Sequence, residues 1–146
     1  MMQMLHGDAS MRTFMEFTIE AAHSVTRYSR LHGHTFVVKL SFEGQPDPVY
    51  GWVANLYEVK KIADTIKAEI GAADENGDGS GEGNLNDISD LKVVSLENFA
   101  SWIWGRVAPS QPNLSTVEVN RGFRGSIEGC EYRGLGSQTA GSSSAS

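Results

Sequence analysis

The chain has 146 residues, with 12 Lys+Arg against 18 Asp+Glu and a formal charge of −6. That length fits one compact domain, and the acidic balance (pI near 5.1) disfavours nucleic acid or an anionic membrane as the main partner. A single cysteine, Cys130, excludes an internal disulfide. No apolar run approaches the ~18 residues of a membrane span, nor does the N-terminus carry a signal-peptide core, so a soluble, cytoplasmic protein is expected.

Residues 1–11 read as a loose lead-in, and 12–135 as the folded domain. From Arg12 to Ala22 the sequence alternates, with Met15, Phe17 and Ile19 on one face and Glu16, Thr18 and Glu20 on the other. Period two predicts a half-buried strand. Residues 24–31 are polar and loop-like. The run 34–43 alternates again, with Phe36, Val38, Leu40 and Phe42 sharing a face, and the Pro- and Gly-containing stretch 43–51 must turn. Val59, Ile62, Ala63, Ile66 and Ile70 stand at helical spacing and predict a helix over 56–71.

An acidic, Gly-rich loop follows at 72–84. A second helix is predicted over about 96–107, with Ser95 as N-cap and a stripe containing Leu96, Phe99, Ile103 and Val107. Trp102 and Trp104 read as helix packing and subunit contact. Residues 115–123 and 129–134 read as closing strands, and 136–146, without an apolar anchor, as a disordered tail. The order β-β-α-α-β-β predicts an α+β fold, a four-stranded antiparallel sheet with two helices on one face. The free edges of so small a sheet argue for closure by oligomerisation.

The strand parity makes the histidines informative. His23 has the parity of Met15, Phe17 and Ile19, while His32 and His34 share that of Phe36, Val38, Leu40 and Phe42. All three rings are therefore expected at the rim of the inward face. Three neutral nitrogens with a fourth position open form the ligand set of a catalytic zinc site. The competing reading is three unrelated histidines; the third imidazole at the end of a neighbouring strand weighs against it.

The segments FTIEAAH (17–23) and RLHGH (30–34) resemble the 6-pyruvoyltetrahydropterin synthase and 6-carboxytetrahydropterin synthase family. GWVANLYEVK (51–60), LND (85–87), SLENFASWIW (95–104) and GCEYRG (129–134) follow collinearly. The likeness is nearest to the bacterial 6-carboxytetrahydropterin synthase branch of queuosine and 7-deazapurine synthesis. It implies a tunnelling fold, whose homotrimers or homohexamers close a β-barrel with active sites between subunits. It also implies one zinc ion per subunit on His23, His32 and His34, and lyase chemistry on 7,8-dihydroneopterin triphosphate or a related precursor.

Other family positions differ. Tyr28 stands where the family keeps its catalytic cysteine; a thiol of pKa about 8.5 is a feasible base at neutral pH, and a phenol of about 10 a poor one. The family's Asp-His pair ahead of LND is replaced by DENGDGSGEGN, and its Asp-Phe by Asn55-Leu56. Arg121 falls at the glutamate that anchors the pterin ring; a guanidinium has only donors and suits a carboxylate or phosphate instead. Ser95 and Glu97 match a segment lying near the pterin. Together these changes imply that the standard reaction is altered or lost, with Tyr28 or metal-bound water as the base if the protein is active. The alternatives are a non-catalytic, metal-bearing binding or scaffold protein that takes an anionic ligand through Arg121, and a related zinc enzyme with a new substrate.

Asp74, Asn76 and Asp78 begin like a calcium loop, but position twelve is Leu85 instead of a bidentate acid. A flexible acidic insertion is the favoured reading, with weak Ca²⁺ binding the alternative. Cys130 is expected to be a small buried hydrophobe and not a nucleophile.

Overall fold

The computed structural model describes residues 10–25, 28–71, 83–91, 93–123 and 125–134. The elements are β1 (Met11–Val25), β2 (Ser29–Gly44), α1 (Leu56–Gly71), β3 (Gly83–Asn84), α2 (Leu96–Val107), β4 (Leu114–Phe123) and β5 (Ser126–Arg133), with short 3₁₀ turns at Leu85–Asp87, Ser89–Leu91 and Ala108–Ser110. The predicted α+β order holds. Four antiparallel strands are joined by the two-residue β3, which pairs parallel with β1, to give the order β3-β1-β2-β4-β5. The sheet of the single chain is open, with β3 and β5 at its edges.

Alternation sets the layers. Ile19, Ala21, Phe36, Val38, Leu40, Phe42, Val117 and Val119 are all buried on one face. Both helices cover that face. α1 contributes Val59, Ala63, Ile66 and Ile70, and α2 contributes Phe99, Ala100, Trp102, Ile103 and Val107. Each fully buried aliphatic or aromatic side chain stabilises the fold by roughly 1.5–3 kcal/mol. The opposite face is polar: Glu16, Lys39, Glu118 and Glu131 form one register row across β1, β2, β4 and β5.

Both helices start where the sequence predicts. The Ser95 hydroxyl accepts from the Asn98 N–H at 3.1 Å, capping α2. Asn55 Oδ1 accepts from the Tyr57 N–H at 3.0 Å at the start of α1, so this amide caps the helix. Arg106 ties the helices together with a forked pair to Glu69 (2.9 and 3.1 Å) and lies over Trp102. Trp104 packs on Tyr132. The two tryptophans thus pack within the chain.

Several expectations are corrected. The described residues of 24–31 are strand apart from Tyr28, which lies in a turn: the β1–β2 ladder extends through Val25↔Ser29. Polar residues pair here because the backbone ladder runs past the edge of the core. Met11 belongs to β1, opposite Gly44, and not to the lead-in. β5 begins at Ser126, three residues earlier than expected, and β4 starts at Leu114. Gly83 and Asn84 are strand rather than loop. A Cβ at Gly83 would run into the Ile70 carbonyl, so a glycine is what lets this segment pass beside the end of α1. Asp74, Asn76 and Asp78, and with them the calcium alternative, lie outside the described residues, as do residues 136–146.

Candidate metal centre

The register brings the predicted tripod together. His23 stands directly opposite His32, and Ala21 opposite His34, in the antiparallel β1–β2 pair. Directly paired residues share a face, so all three imidazoles project from the helix-covered side. Ring centroids lie 4.7 Å (His23–His32), 5.0 Å (His23–His34) and 4.4 Å (His32–His34) apart. One nitrogen from each ring falls within 4.8 Å of the others. Phe36 lies edge-on to His23 and His34 beneath them and contacts Phe99 of α2, so the cluster rests on the core.

Backbone carbonyls fix the tautomers. His23 Nδ1–H donates to the Val94 carbonyl at 3.3 Å, and His32 Nδ1–H to the Arg30 carbonyl at 2.6 Å. A carbonyl only accepts, so in each neutral ring Nε2 carries the lone pair. His34 is hydrogen-bonded to the Gly122 backbone. Metal-ligating histidines are oriented in this way, one nitrogen held by an outer partner and the other presented to the ion. The donor set fits a borderline cation such as zinc, with all three ligands neutral.

Burial favours the neutral form of His23 and His34. Burial, with His23 only 1% exposed, pushes its pKa from 6.5 to about 4, and the Arg121 guanidinium adds to the effect. Burial and Arg121 lower His34 too. Neutral imidazole is the form that ligates.

Arg121 faces inward, as its parity requires, opposite Phe36 on β2 and Glu128 on β5. Its Nη1 donates to His23 Nε2 at 2.9 Å, and its Nη2 to Glu128 at 3.2 Å. The guanidinium therefore sits on the lone pair that the metal would use. A metal at the tripod requires Arg121 to turn away from His23.

The other predicted residues are placed around this centre. Tyr28, 86% exposed, lines an open cleft of about 680 Å³ together with Arg30, His32, His34 and Gly122. Ser95 is the α2 cap, and the preceding residue, Val94, supplies the carbonyl to His23. Glu97 lies exposed on the first turn of α2, close enough to Cys130 to act on its thiol. Cys130 is half-buried on the inward face of β5, its thiol pushed up in pKa first by burial and then by Glu97. A second cleft, about 720 Å³ and lined by Met15, Trp52, Leu56 and Tyr57, contains no His, Cys, Asp or Glu. It involves the start of β1, about 26 Å along the strand from His23 at ~3.3 Å per residue, so the two clefts are separate.

Sequence reasoning missed the backbone acceptors at Val94, Arg30 and Gly122, which have no side-chain signature. It also missed Glu128, whose parity with Cys130 would have revealed it had β5 been started earlier. In the sequence Asn86 stands out only as part of LND. Its Oδ1 accepts from the Ser24 N–H at 2.7 Å and its Nδ2 donates to the Ser24 carbonyl at 3.1 Å, next to His23.

A small α+β domain with an antiparallel sheet, two helices on one face and a histidine triad at the rim defines the structural class. Within it, the family model described as 6-pyruvoyl tetrahydropterin synthase matches residues 13–134, and the chain belongs to that family. It is 30% identical over 103 residues to the dihydroneopterin monophosphate aldolase of Pyrococcus furiosus, spanning 69% of this chain and 78% of that protein. It is 30% identical over 89 residues to a 6-pyruvoyl tetrahydrobiopterin synthase of Poecilia reticulata, spanning 60% of this chain and 56% of that protein. The fold is that of Caenorhabditis elegans 6-pyruvoyl tetrahydropterin synthase, with TM-score 0.66 at 19% identity over 86% of this chain and 96% of that one. A Plasmodium vivax 6-pyruvoyltetrahydropterin synthase, described as a mutant of a catalytic glutamate, aligns with TM-score 0.58 at 13% identity over 86% and 99% of the two chains.

Proposed function

We propose that this protein is a zinc-dependent lyase of pterin metabolism acting on a phosphate ester of 7,8-dihydroneopterin, by a variant of its family's usual mechanism. The observation that carries this reading is the convergence of His23, His32 and His34, two of them with backbone acceptors on Nδ1 that put the ring lone pair on Nε2. Zinc bound there would supply Lewis acidity to side-chain hydroxyls of the substrate. Family membership supports a pterin substrate, and the name of the P. furiosus relative supports a phosphorylated dihydroneopterin. Arg121, a fork of donors at the floor of the site, suits the phosphate.

Tyr28 takes the place of the family's cysteine at the mouth of the cleft and is the proposed proton acceptor. Ser95 and Glu97, at the start of α2, are proposed to border the bound substrate. The open sheet edges and the largely exposed Ile127 on β5 support assembly into a homotrimer or homohexamer.

A second reading is favoured by the exposure of Tyr28: a non-catalytic, metal-bearing protein whose site holds an anion through Arg121. The two are separated by incubating zinc-loaded protein with 7,8-dihydroneopterin triphosphate and, separately, with the monophosphate, followed by mass spectrometry. Release of a triphosphate or two-carbon fragment with an altered pterin is expected. Intact zinc content with unchanged substrate in both reactions would sink the enzyme reading and leave the second.

A further inference from the structure

Arg121 is unusual in what its guanidinium touches. Its side chain is only 16% exposed, Nε is buried with no hydrogen-bond partner, Nη2 is paired with Glu128, and Nη1 lies on His23 Nε2. The Nδ1–H of His23 is already committed to the Val94 carbonyl, so Nε2 is the acceptor in this bond. A guanidinium is charged at every accessible pH and cannot surrender a proton to the imidazole. The same lone pair therefore has two claimants, a tethered cation and a metal ion, and they exclude one another at His23.

We infer that Arg121 is an internal competitor for the metal. In metal-free protein it occupies His23 and satisfies a buried lone pair; metal binding requires it to leave. This inference rests on the metal reading of the tripod. The energetic argument is one of populations. If the tripod is competent only while Arg121 is turned away, the apparent metal dissociation constant rises by the inverse of that fraction. The bond to be broken is charge-assisted, and the displaced charge stays close to a dication, so removing both corresponds to about tenfold or more in affinity. The Glu128 contact gives the guanidinium a tether on the far side of the site, where it can remain paired after leaving His23. The departure from a simple three-histidine site is thus an adjustable one: metal occupancy is set by Arg121 as well as by the ligands.

The test is metal titration of the full chain, using zinc competed against a chromophoric chelator and cobalt(II) followed by its ligand-field absorbance. Arg121→Met keeps a side chain of similar length without a charge or a donor, and should bind zinc about tenfold more tightly or better. Arg121→Lys retains the charge and should stay within a few-fold of the unmodified protein. Equal or weaker binding by Arg121→Met, with the unmodified protein and Arg121→Lys both binding, would overturn the competition while leaving the tripod intact. No metal binding by any of the three proteins would overturn both the competition and the tripod. Should Arg121→Met fail to fold, the guanidinium nitrogen resonances of the unmodified protein give the answer. They should shift on zinc addition as the His23 contact breaks, and unchanged resonances at full zinc occupancy would reject the inference.

Discussion

Asn86 holds the backbone of Ser24 from both sides, its side-chain oxygen taking the Ser24 N–H at 2.7 Å and its nitrogen reaching the Ser24 carbonyl at 3.1 Å. The Asn84 side chain in turn caps the 3₁₀ turn by accepting from the Asn86 N–H. Ser24 follows His23 directly, so this clamp sets where the first imidazole ends up. It also satisfies backbone groups at the end of β1, beyond its short parallel pairing with β3 at Ala21 and Ala22. Asn86 is thus a positioning residue that acts through β1. Replacing it with alanine removes both bonds and should cost about 1–2 kcal/mol of unfolding free energy. Because His23 loses its anchor, zinc affinity should fall as well. Denaturant unfolding and chelator competition measure the two effects separately, and a stability loss with unchanged zinc affinity would limit Asn86 to a structural role.

His32 offers a more direct test of the proposed tripod. It lies opposite His23 on the adjoining strand and is only partly buried, so its removal leaves no large cavity. His32→Ala should therefore leave the fold intact by circular dichroism while reducing zinc from one equivalent per chain to a substoichiometric amount. Two remaining imidazoles do not complete a zinc site. Full retention of one equivalent would refute the assignment of the tripod.

The histidines also make metal-free protein acid-sensitive, and the sign can be worked out. Burial lowers His23 from 6.5 to about 4; facing it are Arg121, His32, His34 and the Val94 carbonyl. Between those two values the unfolded chain binds a proton that the folded chain refuses, so unfolding free energy rises with pH across the window and is level above it. The full difference from His23 is roughly 3 kcal/mol, and His34 acts in the same direction. Denaturant melts in the presence of a chelator, taken from pH 7.5 down to 4.5, should lose stability progressively below about pH 6.5. His23→Gln should flatten the profile. A wild-type profile that is level over this range would mean that His23 is not held neutral by its surroundings.

What was legible in the sequence follows from period-two patterning. Phe36, Val38, Leu40 and Phe42 fix the parity of β2, and His32 and His34 inherit it; the same holds for His23 on β1. The outer ends of the hairpin were obscure because Ser24, Ser29 and Arg30 read by composition as a loop, although the backbone ladder continues through them. The start of β5 is hidden in the sequence for a related reason. As an edge strand with Ile127 82% exposed and Glu128 beside the site, its first residues show no apolar alternation. The pairing of Glu128 with Arg121 is hidden along with them. β3 has two residues and no pattern to read, while the contact between Arg121 and His23 joins positions 98 residues apart and is set by tertiary packing alone.

Tyr28 provides the remaining prediction. It sits in the turn between β1 and β2, its N–H donating to the Val25 carbonyl at 2.9 Å, and lines the cleft that also exposes His32 and His34. The turn backbone, not the phenol, determines its position, so deleting the hydroxyl should not disturb the fold or the tripod. Positioned proton transfer contributes typically about 10²–10⁴-fold to rate. Tyr28→Phe should therefore retain zinc stoichiometry and melting temperature while lowering turnover of a dihydroneopterin phosphate by about 10²-fold. Tyr28→Cys, which places a thiol at this position, should recover part of that loss and move the ascending, acid-side limb of the pH–rate profile to lower pH, since a thiol ionises below a phenol. Undiminished turnover in Tyr28→Phe would remove the phenol from the chemistry.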